Sequence, residues 1–373
     1  MVLLRIGLVV YFVELLVGVA AHAEECTFAE ALCAARQAVF RIEAYDPAAS
    51  AVRIGERLLV TNRHVVADEP SVRIFLPEGG TIVGTVIPTS YRGDLILIEG
   101  DLPEGPNLPP DKDNDPGPYR AIGYDLSQRA VAIYEPGKAL MQPQQGAFAR
   151  LQHLAKTGAG NSGGALIDHE GELVGINASG GEGRSEAIPA ASLKDLQAQS
   201  GPEFSDQSAR IGHAYRICDE ALSDARRARD AMSEALASKL ETQCLASANP
   251  VLIQLAAQAF GQRGDLERSE ELFVTALAAD PNNINARMGY ATTLHLASRF
   301  ADEVRVLRPL LDVIPADPAL QRLALQAGKW GDAPDLSEQA LKLIARHNPA
   351  QAEAARRFYE ANLPPPGRVM PAP

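Results

Sequence analysis

Hydrophobic periodicity changes once along this chain, near Leu193, and that change constrains the fold more than any other feature. From residue 37 to about 190, short apolar or alternating runs recur between turns rich in glycine, proline and acidic residues. The runs are Val39–Ile42, Ala51–Ile54, Leu58–Thr61, Val72–Leu76, Ile82–Ile87, Leu95–Glu99, Val131–Tyr134, Ala147–Leu151, Ala165–Asp168 and Leu173–Asn177. A period of two places alternate side chains on opposite faces, so these runs predict β-strands. Strands at this spacing, with no helical segments between them, build a sandwich or barrel and not βαβ units. Residues 100–118, rich in Pro, Asp, Asn and Gly, divide the strands into two groups, so two small barrels are expected. Beyond Leu193, alanine, leucine, glutamate and arginine dominate and the period becomes helical. At 373 residues the chain exceeds one ordinary core. The fold class expected is multidomain β plus α, a double β-barrel followed by an all-α region.

The helical half has its own internal period. Residues 204–246 predict one or two amphipathic helices. Further on, Pro281, Pro315 and Pro349 recur every 34 residues, each expected to close a helical pair. Within Val251–Pro281, small or bulky packing residues stand at Ile253, Ala256, Ala257, Phe260, Gly264, Phe273 and Ala276. The unit resembles a tetratricopeptide repeat, whose period is 34. The units at about 283–315 and 317–349 keep the proline and a leucine-rich second helix but lose much of the first-helix pattern. The resemblance implies a stacked array with a concave face for a partner protein or an extended peptide. The Pro-rich C-terminal tail is expected to be disordered.

At the N-terminus, Arg5 precedes an apolar run from Ile6 to Ala20, and Ala21-His22-Ala23 supplies small residues at the peptidase-read positions. This pattern predicts a secretory signal peptide over residues 1–23, and no stable membrane insertion once it is removed. Export to the periplasm or medium agrees with the even cysteine count, Cys26, Cys33, Cys218 and Cys244. Pairing of neighbours is the economical connectivity, although three are possible. Seven helical positions would separate Cys26 from Cys33 by about 10 Å, beyond the disulfide reach of roughly 7 Å. Either a helix starts after Cys26 or the partners lie elsewhere. No cysteine spacing matches a metal site, and no metal or cofactor is expected. The net charge of −12 argues against nucleic acid, because phosphate binding draws on a lysine and arginine surplus.

Three segments carry chemistry. His64 ends a strand-like run at a turn, in Val60-Thr61-Asn62-Arg63-His64-Val65-Val66. Asp94 opens another run, in Gly93-Asp94-Leu95-Ile96-Leu97-Ile98. Ser162 lies between glycines, in Gly160-Asn161-Ser162-Gly163-Gly164. A serine hydroxyl is a weak nucleophile at neutral pH and needs a base to take its proton. His64 is the candidate general base, Asp94 the carboxylate that orients it, and Ser162 the nucleophile. A side-chain-free loop lets the amides of Gly160 and Ser162 point at one spot, the candidate oxyanion hole. Asn177, Ala178 and Ser179 are the candidate strand for pairing with substrate backbone.

These segments, with Ala165-Leu166, Leu173-Val174-Gly175-Ile176-Asn177 and Ala187-Ile188-Pro189, resemble the trypsin-like serine peptidase superfamily and most closely its HtrA/Deg-like branch. The resemblance covers about residues 37–195 and implies a double β-barrel with the triad His64, Asp94 and Ser162 in the cleft between barrels. It implies a protein or peptide substrate cleaved through an acyl-enzyme. Digestive trypsins have aspartate before the nucleophile. Asn161 stands there instead and cannot pair with a new N-terminus, so propeptide activation is not expected. HtrA-like chains continue into PDZ domains, whereas this one continues into helices. Lys156, six residues before Ser162, occupies the place where trypsins carry an acidic pocket residue, which disfavours cleavage after lysine or arginine.

The expected organisation is signal peptide 1–23, trypsin-like domain 24–200, helical connector 201–248 and tetratricopeptide-like repeats 249–373. The expected function is an exported serine endopeptidase. The alternative is a catalytically silent trypsin-fold scaffold that acts through its repeats. All three triad positions hold the residues catalysis needs, which favours the enzyme.

Overall fold

The computed structural model describes residues 26–110, 117–140, 146–181, 184–228 and 232–367. The expected signal peptide lies outside them. Helix α1 (Glu30–Gln37) begins after Cys26, which brings the Cys26 and Cys33 Cα atoms to 5.8 Å and lets them form a disulfide.

Six strands follow: β1 (Val39–Glu43), β2 (Ala49–Arg53), β3 (Leu58–Thr61), β4 (Ser71–Phe75), β5 (Thr81–Ile87) and β6 (Ile96–Glu99), with the single-turn helix α2 (Arg63–Val66) after β3. They close an antiparallel barrel in the order β1-β2-β3-β6-β5-β4. Its interior is built from alternate residues such as Phe40, Ile42, Leu59, Ile74 and Ile98, all buried. Burying each such side chain contributes about 1.5–3 kcal/mol, and a one-residue register slip would turn the whole set outward.

The second group is β7 (Arg120–Asp125), β8 (Ala130–Ile133), β9 (Leu151–His153), β10 (Ala165–Ile167), β11 (Leu173–Gly181) and β12 (Arg184–Pro189). The sheet order is β8-β7-β10-β11-β12-β9. Regular pairing leaves β8 and β9 as edges, and residues 137–140 bridge the gap. Gly137 exchanges both backbone hydrogen bonds with Tyr119 at 2.9 Å, while Leu140 N–H donates to Gln152 at 2.8 Å. The sequence reading missed β7 and β12, and the run expected at Ala147–Leu151 is displaced to Leu151–His153. Helix α3 (Ser192–Ala198) packs back on this domain through Leu193 and Leu196.

The rest is helical. Helices α4 (Ser205–Ala228) and α5 (Glu234–Ala246) are joined by the Cys218–Cys244 disulfide, with Cα atoms 4.9 Å apart. A link closing 26 residues is worth about 3.5 kcal/mol by loop entropy. Then come α6 (Pro250–Gln262), α7 (Leu266–Ala279), α8 (Ile284–Leu296), α9 (Phe300–Leu307), α10 (Leu310–Val313), α11 (Pro318–Trp330), α12 (Pro334–His347) and α13 (Ala352–Glu360). Side chains of Asn249, Asn283 and Asp317 accept amide hydrogen bonds at the starts of α6, α8 and α11. These caps stand 34 positions apart, the interval of the prolines. Phe260 and Phe273 are fully buried between α6 and α7.

Two details depart from expectation. The second helix of the middle unit is interrupted after Leu307, and α10 resumes behind Pro309, whose ring and missing N–H do not suit a helix interior. The start of the C-terminal tail, expected to be disordered, is tied down. Trp330 Nε1 donates to the Leu363 carbonyl at 3.2 Å and Ser298 Oγ to that of Pro366 at 2.9 Å. Among the described residues, no helix is long and apolar enough to cross a membrane.

Candidate active site

His64 sits in α2, the turn that β3 delivers, and Asp94 lies two residues before β6, the neighbour of β3 in the barrel. Strand pairing therefore brings the two together across 30 residues. His64 Nδ1 lies 2.8 Å from Asp94 Oδ2, and the His64 amide donates to Asp94 Oδ1 at 3.0 Å. Asn62 Nδ2 donates to the Asp94 carbonyl at 3.1 Å, which holds the segment from the other side. Two oxygens of one carboxylate thus grip one histidine at ring and backbone.

The electrostatics follow from burial and from that contact. Burial would raise the Asp94 carboxyl, but the charge and hydrogen bonds of His64, with Arg150 nearby, hold it below the usual range. Burial would likewise lower the His64 imidazole. The charge and hydrogen bond of Asp94, aided by Asp46 and Asp219, outweigh that and leave its pKa above the ordinary value. An imidazole held this way at Nδ1 is oriented to take a proton at Nε2.

Ser162 lies in the loop between β9 and β10, and the first barrel holds that loop in place. Ser50, buried in β2, donates its amide to the Ser162 carbonyl and its hydroxyl to the Gly160 carbonyl, both at 2.8 Å. The same hydroxyl accepts the Tyr124 amide at 2.8 Å, and the Ser50 carbonyl accepts Thr61 Oγ1 at 2.7 Å. Thr61 ends β3, three positions before His64. One serine therefore ties the Ser162 loop to the strand that leads into the His64 turn. Gly163 has φ +79°, and a Cβ there would stand 2.1 Å from the Ser50 carbonyl and 2.2 Å from Thr61 Oγ1. Only glycine allows that approach.

Among the described residues, the amides of Gly160 and Ser162 donate no hydrogen bond. They remain available for an oxygen ligand, as an oxyanion hole requires. Among the described residues, no hydrogen bond joins Ser162 Oγ to His64; such bonds commonly tighten only when substrate is bound. Among the described residues, no cluster of three or more His, Cys, Asp or Glu is placed to hold a metal ion.

The expectation for Asn177 needs correcting. Its carbonyl accepts the Gly163 amide at 2.9 Å, its own amide donates to Gly164 at 2.8 Å, and Nδ2 donates to Ala165 at 2.7 Å. These groups are engaged by the Ser162 loop, so Asn177 supports that loop and is not free to pair with an added strand. Ala178 and Ser179 fall at the irregularity where β11 and β12 shift register. Ser50 went unnoticed in the sequence because a lone serine in an apolar strand carries no local signal of what it will touch. Ser50→Ala should leave the Gly160 carbonyl and the buried Tyr124 amide without partners, while the backbone bonds of Ser50 to Ser162 and Thr61 remain. We expect a stability loss of about 1–3 kcal/mol in urea unfolding, together with slower labelling of Ser162 by a fluorophosphonate.

A 210 Å3 cleft opens between the second barrel and the helices. Arg150, Gln152, Ser179 and Glu186 form one wall, and the ends of α6 and α8, with Gln254, Asp280 and Asn285, form the other. Glu186 bridges the walls, since its Oε1 accepts Gln152 Nε2 and Asn285 Nδ2, both at 2.7 Å.

Residues 49–176 match the family model described as trypsin-like peptidase domain. Serine protease HTRA2, mitochondrial, from Bos taurus is 31% identical over 151 residues, covering 37% of this chain and 33% of that protein. Periplasmic serine endoprotease DegP from Salmonella typhimurium is 31% identical over 161 residues, covering 38% and 32%. The chain thus spans about a third of the length of these curated relatives. Among solved structures, the serine endoprotease from Yersinia pestis aligns over 45% of this chain and 64% of its own, at 26% identity and a TM-score of 0.38. The chain carries a trypsin-like serine peptidase domain with HtrA/DegP-type homologues, followed by a large all-helical region.

Proposed function

We propose that this chain is an exported serine endopeptidase whose helical region takes part in substrate binding. Residues 24–200 form the peptidase unit, 201–248 the connector and 249–373 a tetratricopeptide-like array. The observation that carries the reading is the 2.8 Å contact of His64 Nδ1 with Asp94 beside a serine loop that presents two unengaged amides. Ser162 Oγ attacks the scissile carbonyl carbon while its proton passes to His64 Nε2. The amides of Gly160 and Ser162 receive the oxyanion. Collapse breaks the C–N bond, His64 protonates the leaving amine, and the acyl group stays on Ser162. Water, deprotonated by His64, then attacks the ester, releasing the acid and restoring the serine hydroxyl. Export is supported by the two disulfides and by the periplasmic location named for the Salmonella relative.

Substrate binding by the helical region is supported by the cleft that Ser179 shares with α6 and α8. A peptide lying along Ala178 and Ser179 would place its residues before the cut against Glu186, Asp280 and Asn285. Glu186→Gln and Asn285→Ala should raise KM about fivefold per lost hydrogen bond for long peptides. Their kcat should be unchanged, and so should KM for short reporters that end before the cleft. Equal KM values for all lengths would remove the cleft from the substrate path. Peptide-library profiling of the mature protein beside Ser162→Ala tests the activity itself. Cleavage by the wild type alone supports the peptidase. No cleavage by well-folded wild type would favour the silent scaffold.

A further inference from the structure

The turn that carries His64 is covered from outside the barrel by α4, an element of the helical connector. The fit is close. A Cβ on Gly212 would lie 2.4 Å from the Ala67 carbonyl and 2.9 Å from the Asp68 Cα. Ala67 ends the His64 turn with φ +53° and ψ −110°, a conformation that a non-glycine residue rarely adopts and that surrounding contacts must hold. Those contacts come largely from α4. Arg216 donates from Nε to Asp68 and from Nη2 to Glu69 Oε1 at 2.7 Å, the two acidic residues that follow the turn. Its guanidinium lies 4.6 Å from the Tyr45 ring centroid, and Tyr45 donates its hydroxyl to Asp219 Oδ2 on α4 at 2.8 Å. The next residue, Asp46, donates its amide to the Val65 carbonyl at 2.9 Å. On the inner side, the buried Arg63 reaches Ser208 Oγ on α4 at 3.3 Å.

The barrel and the helix therefore enclose one strained turn between them. The Cys218–Cys244 disulfide anchors α4 to α5 at the level of Arg216 and Asp219. We propose that α4 is the positioning element for the general base, with Arg216 and Gly212 holding the His64 turn in the geometry that keeps the imidazole on Asp94. The inference rests on the peptidase reading and extends it, because it makes a helix of the connector part of the catalytic apparatus. Movement of the helical region, for instance on binding a partner, would then act on the histidine through α4.

The charged and titratable groups around the His64–Asp94 pair are Asp46 between β1 and β2, Asp219 and Tyr215 on α4, Arg63 beside His64 on the turn, and Arg150 just before β9. Arg216 is paired with Asp68 and Glu69. Loss of the Arg216 cation alone would move the His64 titration upward. Loss of the Asp94 pairing would move it downward, so the direction of the shift separates the two causes.

The experiment uses full-length protein with Arg216→Ala, Arg216→Lys, Gly212→Val and, as a control on exposed helix surface, Arg227→Ala. The His64 ring is followed by NMR, and kcat and KM are measured on a peptide. Expected in Arg216→Ala and Gly212→Val are a downward shift of the His64 titration, exchange-broadened ring signals, and a kcat at least tenfold lower with KM unchanged. Arg216→Lys should recover part of the kcat, and Arg227→Ala should match the wild type. Circular dichroism and intact disulfides report folding, and if Gly212→Val does not fold, Arg216→Ala decides. An unchanged or upward-shifted His64 titration in folded Arg216→Ala overturns the proposal, whatever the activity. Failure of the wild type to react with a fluorophosphonate would instead count against the peptidase reading, and the NMR comparison would still judge the clamp.

Discussion

Ser162→Ala should abolish labelling by a fluorophosphonate and lower kcat by about 10⁶, the scale seen when a triad nucleophile is removed. The loss should be nearly complete because the substitution removes the attacking hydroxyl itself. Residual hydrolysis of about 10³–10⁴ over water is expected from the oxyanion hole and substrate binding alone. Stability should change little, since the loop is held through the carbonyls of Ser162 and Gly160 and not through the serine hydroxyl. KM should stay close to that of the wild type. Active-site titration, steady-state kinetics and thermal unfolding of the two proteins check all three points. A mutant that keeps wild-type turnover would mean that the chemistry lies elsewhere in the chain.

The second large effect is expected at Asp94. In Asp94→Asn, kcat should fall by about 10⁴, because a carboxamide can donate to Nδ1 and so stabilise the tautomer with its proton on Nε2, where the base must be free. The pH dependence has a definite sign. Only neutral imidazole accepts the serine proton, so kcat/KM rises as pH rises through the His64 pKa. Asp94, Asp46 and Asp219 hold that pKa above its ordinary value, so the wild-type acid limb should lie above that of a free histidine. Removing the Asp94 charge should move the limb to lower pH even as the plateau drops. Profiles of kcat/KM against pH for both proteins read this directly. An unmoved limb would mean that another group governs it.

Much of the fold was legible. The alternating runs located most strands within one or two residues, because residues of one period share one face and must bury it together. Strand β7 escaped because Arg120–Asp125 follows a polar connection and contains Gly123. That glycine is required by something remote, since a Cβ there would stand 2.4 Å from Asn161 Nδ2. Strand β12 escaped because half of it is polar and glycine precedes it, and its pairing with β9 and β11 is what makes it a strand. The break at Pro309 was visible as a residue but was overridden by the regular 34-residue interval.

The site divides along the same line. His64, Asp94 and Ser162 could be picked out as candidates because each sits in a short segment whose residue types and order suit the chemistry. The interval of 34 and its capping residues were likewise written locally, since a helix start needs only the side chain and the amides of the next turn. Tertiary structure alone decided that Ser50 holds the Ser162 loop, that the Asn177 backbone is engaged by that loop, and that the connector helix covers the His64 turn. Each of these depends on backbone groups or packed faces brought together over 12 to 148 positions of sequence, as from Asn177 to Ala165 or from Arg216 to Asp68. A hydrogen bond of that kind is specified by where the chain returns in space, and no local pattern of residues encodes it.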